Sequence, residues 1–145
     1  MKKIALVLVL CVLLSSCINA FAQDKEVVVK INGKPIHTPV PARIVEGRTV
    51  LPMRVVFERL GAVVTWVETD KLIFATKGNT LLVMQPDNCN IAVQKTDTNE
   101  KKTVKLDVAP FIDNGHTLVP VRAVAEALEA EVSWDETTYT VNIYK

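Results

Sequence analysis

Histidine and cysteine are scarce in this chain of 145 residues, with two of the first and three of the second. His37 and His116 leave little material for a metal site built on imidazole. Cys11 and Cys17 fall in the apolar N-terminal stretch, so Cys89 stands alone in the rest of the chain and no intrachain disulfide joins its parts. A small domain without staples must hold its fold by its core. Charge of one sign is also lacking. Formal net charge is +1 at pH 7, which removes a strong electrostatic case for nucleic acid or an anionic membrane surface. A hydrophobic run of the ~20 residues that cross a bilayer is absent too. What is present is 49% hydrophobic and 23% charged sequence, the balance of a globular domain.

The N-terminus reads as an export signal. Lys2 and Lys3 precede the apolar run Ile4 to Leu14, and small residues Ala20 and Ala22 flank Phe21. Basic start, apolar centre and A-x-A end are the order of a secretory signal peptide. This predicts residues 1–22 as a signal and 23–145 as the exported domain. Cleavage there removes two basic residues and no acids, which leaves one acid in excess. A second reading competes: Leu14-Ser15-Ser16-Cys17 resembles the lipobox of bacterial lipoproteins, which makes Cys17 a lipidation site. Both readings place the domain outside the cytoplasm, secreted or in the cell envelope, and touch a membrane only through that lipid.

A shift of 68 residues lays Arg43–Ala75 on Phe111–Ile143 without a gap. Identical pairs are Ile44/Ile112, Gly47/Gly115, Thr49/Thr117, Pro52/Pro120, Arg54/Arg122, Val56/Val124, Glu58/Glu126, Leu60/Leu128, Ala62/Ala130, Val64/Val132, Trp66/Trp134, Glu68/Glu136 and Thr69/Thr137. The two tryptophans of the chain match each other. An internal repeat of this kind sets the architecture, with copies at about 26–78 and 89–145.

Each copy reads as strand, helix, hairpin. Gly47 and Gly115 mark turns. Thr49-Val50-Leu51 and Thr117-Leu118-Val119 are strand-like, and Pro52 and Pro120 suit the first turn of a helix. Val55, Val56, Phe57 and Leu60, or Val121, Val124, Ala125 and Leu128, give an apolar helical face. Gly61 fits the position that ends the first helix; Glu129 replaces it in the second, which predicts a different ending or a longer helix there. Val64/Trp66 and Val132/Trp134 then alternate with polar residues as strands do. Val27–Ile31 leads into Asn32-Gly33, a hairpin turn. Thr80–Met84, Ile91–Lys95 and Lys102–Leu106 read as further strands. The fold class is α+β: two pseudo-repeats, each a mainly antiparallel β-sheet packed against one α-helix.

Gly47-Arg48-Thr49-Val50-Leu51-Pro52-Met53-Arg54 with Glu58, Leu60-Gly61-Ala62, Val64 and Trp66 resembles the copper amine oxidase-like N-terminal, or stalk, domain. Gly115 to Arg122 with Ala125-Glu126-Ala127-Leu128 and Val132 to Asp135 looks like a tandem second copy of that motif, and Val29 to Lys34 also matches. The resemblance covers about residues 26–145. It implies a small sheet curled around a helix, in exported and cell-wall proteins, with no inherited oxidase activity. His116, Glu129 and Val67 depart from the family pattern.

No catalytic, cofactor-binding or metal-binding residue is expected. Copper catalysis would take three histidines and a quinone-forming tyrosine, and the chain has His37 and His116 in different contexts. Those two read as solvent-side loop residues. Arg54/Glu58 and Arg122/Glu126 stand at i, i+4, the spacing of a helix-surface ion pair. Trp66 and Trp134 fall in phase with Val64 and Val132, which predicts the buried face; a carbohydrate-stacking platform is the sharper alternative. Glu68, Asp70, Asp135 and Glu136 sit in hairpin turns, and nothing in the pattern indicates the cleft that a pair of catalytic carboxyls needs. Cys89 reads as a small, half-buried strand or turn residue. The reading is a non-catalytic, exported cell-envelope module, not an enzyme, whose structural motif is Gly47, Pro52, Arg54, Glu58, Trp66 and their partners Gly115, Pro120, Arg122, Glu126, Trp134. Its partner is a cell-wall polymer or another exported protein. The alternatives are a carbohydrate- or peptidoglycan-binding module and an accessory regulator of an exported hydrolase.

Overall fold

The computed structural model describes residues 26–145. The expected signal 1–22, its Ala20–Ala22 site and Cys17 lie outside the described residues. Strands and helices follow in the order β1 (Val28–Ile31), β2 (Lys34–Pro35), β3 (Arg43–Val45), β4 (Arg48–Pro52), α1 (Met53–Arg59), β5 (Val63–Val67), β6 (Leu72–Lys77), β7 (Thr80–Met84), β8 (Asn90–Lys95), β9 (Lys101–Lys105), β10 (Phe111–Asp113), β11 (His116–Pro120), α2 (Val121–Ala127), β12 (Glu131–Asp135) and β13 (Thr140–Tyr144). The class is α+β, mostly strand. Adding 68 to the first residue of β3, β4, α1, β5 and β6 gives the first residue of β10, β11, α2, β12 and β13.

Local chemistry explains the hairpins. Asn32-Gly33, Glu46-Gly47 and Asn114-Gly115 all hold positive φ at both residues, from 48° to 77°. Two left-handed residues in succession match the twist of antiparallel strands, so β1–β2, β3–β4 and β10–β11 close tightly.

The strands of the two repeat segments do not form separate sheets. A central four-stranded sheet runs β10-β11-β4-β3, and β4 pairs with β11 antiparallel. In that pairing Leu51 faces Val119, Leu118 faces Pro52, and Pro120 faces Val50. The 68-residue shift exchanges the last two pairs and maps the first onto itself, so a pseudo-twofold passes between Leu51 and Val119. A five-stranded antiparallel sheet runs β5-β6-β7-β8-β9, and a third sheet runs β12-β13-β1-β2. There β1 adds to β13 in parallel, Val29 beside Val141. The first hairpin is thus extended by the strand that follows it, the second by the strand that opens the domain.

Each helix lies on the other segment's central strand: α1 packs against β11 and β5, and α2 against β4 and β12. Val56, Phe57, Leu60, Val124, Ala125 and Leu128 meet Leu51, Val119, Ile73, Leu82 and Ile143 in one core, all at most 2% exposed. Val50 and Leu118, on the opposite face of the central sheet, close on Val108 in a small second cluster. Burial of apolar side chains at ~1.5–3 kcal/mol each is the main stabilising force.

Two details differ from the sequence expectation. Pro52 and Pro120 end β4 and β11 and stand at the N-cap, one residue before the first helical turn. The missing N–H costs nothing there, because it also ends the strand. Glu129 does not lengthen α2. It takes the left-handed conformation, φ +62°, as Gly61 does at +88°. Both helices close with the same pair of bonds: Gly61 and Ala62 donate to Glu58 and Phe57, and Glu129 and Ala130 to Glu126 and Ala125. This is the Schellman pattern. Its two bonds, and burial of the following alanine, hold a non-glycine residue where backbone sterics disfavour it.

Candidate functional site

Two surface clefts are nearly equal in size, about 450 and 460 Å³, and a more open one of about 700 Å³ lies beside Lys77, Lys95 and Glu129. The first lies between the β3–β4 hairpin and α2. Ile44 and Gly47–Thr49 form one wall; Pro120–Ala123, Trp134 and Glu136 form the other. The second lies between the β10–β11 hairpin and α1. Ile112 and Gly115–Thr117 form one wall; Pro52–Val55, Trp66 and Glu68 form the other. These ten positions correspond one for one under the 68-residue shift. Both clefts combine the hairpin of one segment with the helix start and tryptophan of the other, because β4 and β11 are paired.

The expected motif residues therefore converge. Gly47 and Gly115, Pro52 and Pro120, Arg54 and Arg122, and Trp66 and Trp134 all line a cleft; Glu126 joins the first and Glu58 does not reach the second. The tryptophans pack against the core but are only half-buried, so the buried-face expectation holds in part. The sequence pattern indicated no cleft, and the structure has clefts, with Glu136 lining the first and Glu68 the second. The reason is tertiary: each wall comes from a different segment, and no local pattern records that.

The two clefts differ in their polar bonds. In the second, Trp66 Nε1 donates to the Glu68 carboxylate, and Arg54 donates from Nη1 to Glu58 Oε1 at 3.4 Å and to the Val64 carbonyl at 3.1 Å. In the first, Trp134 stands edge-on to Tyr139, centroids 5.4 Å apart and planes at 72°. Arg122 makes no side-chain bond with Glu126, so the ion pair expected in both copies forms only in one. Arg48 pairs with Asp107 at the rim, and Lys105 adds a further cation. The first cleft thus offers an uncommitted guanidinium beside an aromatic pair, and the second a committed one.

The remaining described titratable groups are placed as follows. His37 is exposed beyond β2; His116 opens β11, half-buried in the second cleft, and is not the loop residue expected. Among the described residues no three His, Cys, Asp or Glu side chains are grouped to hold a metal ion. Glu126 and Glu136 are exposed, whereas a general-acid carboxyl is kept dry to raise its proton affinity. Cys89 is half-buried just before β8, and its carbonyl accepts the Leu106 N–H at 2.7 Å. No described helix is long and apolar enough to cross a membrane. Sequence reasoning missed Ile44 and Ile112, which are 48% and 51% exposed in the clefts. The available signal was their identity in the repeat.

The structure is a mixed α+β domain with two corresponding clefts, and among the described residues no metal ligands are grouped. The chain belongs to the family of copper amine oxidase N-terminal domains, whose family model matches residues 30–143. No curated protein matches the chain significantly.

Proposed function

We propose that this chain is a non-catalytic module exported to the cell envelope, where it holds a cell-wall polymer. The domain is a duplication in which two pseudo-repeats each supply one helix and one hairpin and share the central sheet. One observation carries the reading: residues identical in both segments, including exposed Ile44/Ile112, Gly47/Gly115 and Arg54/Arg122, are gathered into the clefts. Folding alone does not require an exposed isoleucine twice at the same place. Membership of a stalk-type family and the export-like N-terminus support the same reading. Motif residues such as Pro52, Pro120, Glu58 and Glu126 shape the walls and perform no chemistry.

Cell fractionation followed by sedimentation with purified sacculi tests it. The expected result is protein in the envelope fraction, co-sedimenting with sacculi. A chain that stays in the cytoplasm, or that stays in the supernatant with sacculi, overturns the reading. Mass spectrometry of the mature N-terminus decides between a start at Gln23 and a lipid-bearing Cys17.

A further inference from the structure

The geometry points to bivalent recognition: each cleft takes a segment of a carboxylate-bearing glycan, and one molecule bridges two strands. This rests on the reading of the chain as an envelope module and specifies the ligand and its stoichiometry.

The symmetry carries the bridging. β4 and β11 are antiparallel, and each runs from a hairpin turn that walls one cleft to a helix that walls the other. The clefts therefore sit at opposite ends of a five-residue strand pair, roughly 17 Å apart at the rise of an extended chain. A pseudo-twofold relates them. A directional polymer that crosses the axis runs in opposite senses in the two clefts, and one that lies along the axis is displaced sideways between them, so one straight strand does not fill both alike, and two strands do. Nearly equal volumes and ten corresponding wall positions give the two ligand units a similar size, which describes a repeating polymer better than a unique peptide.

The lining selects the class. Trp134 or Trp66 offers an indole on one wall and an exposed isoleucine stands on the other, an apolar slot that matches the C–H faces of a sugar ring. Glu136 and Glu68 provide acceptors for hydroxyls. Arg122, with no side-chain partner among the described residues, suits a carboxylate, to which a guanidinium bonds in a planar, two-pronged way. Arg54 is already held by Glu58 and the Val64 carbonyl. The first cleft thus takes the carboxylate at Arg122, with Lys105 as a further cation and with Glu126 and Glu136 lining the same cleft as acceptors for hydroxyls, and the second, whose arginine is held, tolerates neutral rings.

Isothermal titration of the purified chain tests this with three probes: peptide-free glycan strands of peptidoglycan, hyaluronan oligosaccharides as a second carboxylate source, and neutral chitin oligosaccharides. Two sites per chain are expected for both acidic glycans, and long strands are expected to turn turbid as the protein bridges them. Trp134→Ala and Trp66→Ala each leave one site and abolish turbidity. Ile44→Ser and Ile112→Ser, at exposed positions, give the same loss without disturbing the core. Arg122→Ala weakens the first site for acidic glycans by about tenfold and leaves chitin unchanged. A single site per chain, two sites retained in the isoleucine variants, or no binding of any probe overturns the proposal. Sacculus binding that persists with those outcomes leaves the envelope reading standing; loss of sacculus binding removes both.

Discussion

Lys77 donates from Nζ to the carbonyl of Leu128 at 2.6 Å, reaching from the end of β6 to the end of α2. Sixty-eight residues later, Lys145 donates from Nζ to the carbonyl of Arg59 at the end of α1, at 3.3 Å. Each segment thus places a cation on the C-terminus of the other's helix, where carbonyls lack partners and the dipole favours positive charge. Lys77→Met keeps the apolar stem and removes the donor. It is expected to cost about 1 kcal/mol in a urea titration, and Lys145→Met less, because its bond is longer and more exposed. Equal and negligible losses would mean that neither lysine caps.

Gly61 and Glu129 occupy the same left-handed position with different residues. A Cβ added at Gly61 meets only Lys145 Nζ at 3.8 Å, so the cost of Gly61→Ala is backbone strain, about 1 kcal/mol. Glu129→Gly runs the other way. It relieves strain of similar size and loses an exposed ion pair with Lys95, which water screens and which adds little. The expected outcome is a thermal midpoint equal to or above that of the parent for Glu129→Gly and a lower one for Gly61→Ala, measured by calorimetry.

The same ion pair fixes a pH dependence. The Lys95 ammonium bonded to Glu129 holds that carboxyl below its ordinary value of 4.5, and the carboxylate holds Lys95 above 10.5. Asp135 is lowered below 3.8 by the Thr138 hydroxyl and by backbone N–H groups of Thr138 and Thr137. A depressed carboxyl binds its proton less readily when folded, so its contribution is present above the ordinary value and is lost as pH falls through the depressed one. Lys95 works oppositely: its contribution is present below 10.5 and is lost as pH rises through its raised value. Thermal midpoints are therefore expected to decline below about pH 4.5. The gap between parent and Glu129→Gln should close in acid, and a gap that stays constant down to pH 2 would show that the pair adds nothing.

Much of this architecture was legible as spacing. Gly61, the apolar face of Val56, Phe57 and Leu60, and the alternation at Val64 and Trp66 are local signals, and each element formed near its expected place. Partner choice was not legible. Nothing near Val119 says that it faces Leu51 instead of a strand of its own segment, and that one pairing decides which hairpin meets which helix. The clefts follow from it, so Ile44 and Trp134, 90 residues apart, had no shared pattern to betray them. The Arg122–Glu126 pair shows the converse limit. Identical letters at identical spacing bond in one copy only, because side-chain bonds depend on surroundings the copies do not share.

The shared central sheet also predicts how the chain folds. If each segment were a self-sufficient unit, a fragment of residues 26–85 would keep its helix and hairpins. Here α1 packs on β11, β4 pairs with β11, and β1 pairs with β13, all of which such a fragment lacks. The fragment 86–145 lacks β4 and β1 in turn, and its β8 loses β7. Each would expose Leu51 or Val119, fully buried in the whole domain, at the cost of the main core. Both fragments are expected to be unfolded alone by circular dichroism and to regain strand signal when mixed. In the intact chain, Leu51→Ala is expected to cost about 2–5 kcal/mol, and its double variant with Val119→Ala to be non-additive, since the two side chains are neighbours across one strand pair. A fragment that folds by itself, or additive losses, would place the stabilising contacts within each segment and not across the pseudo-twofold.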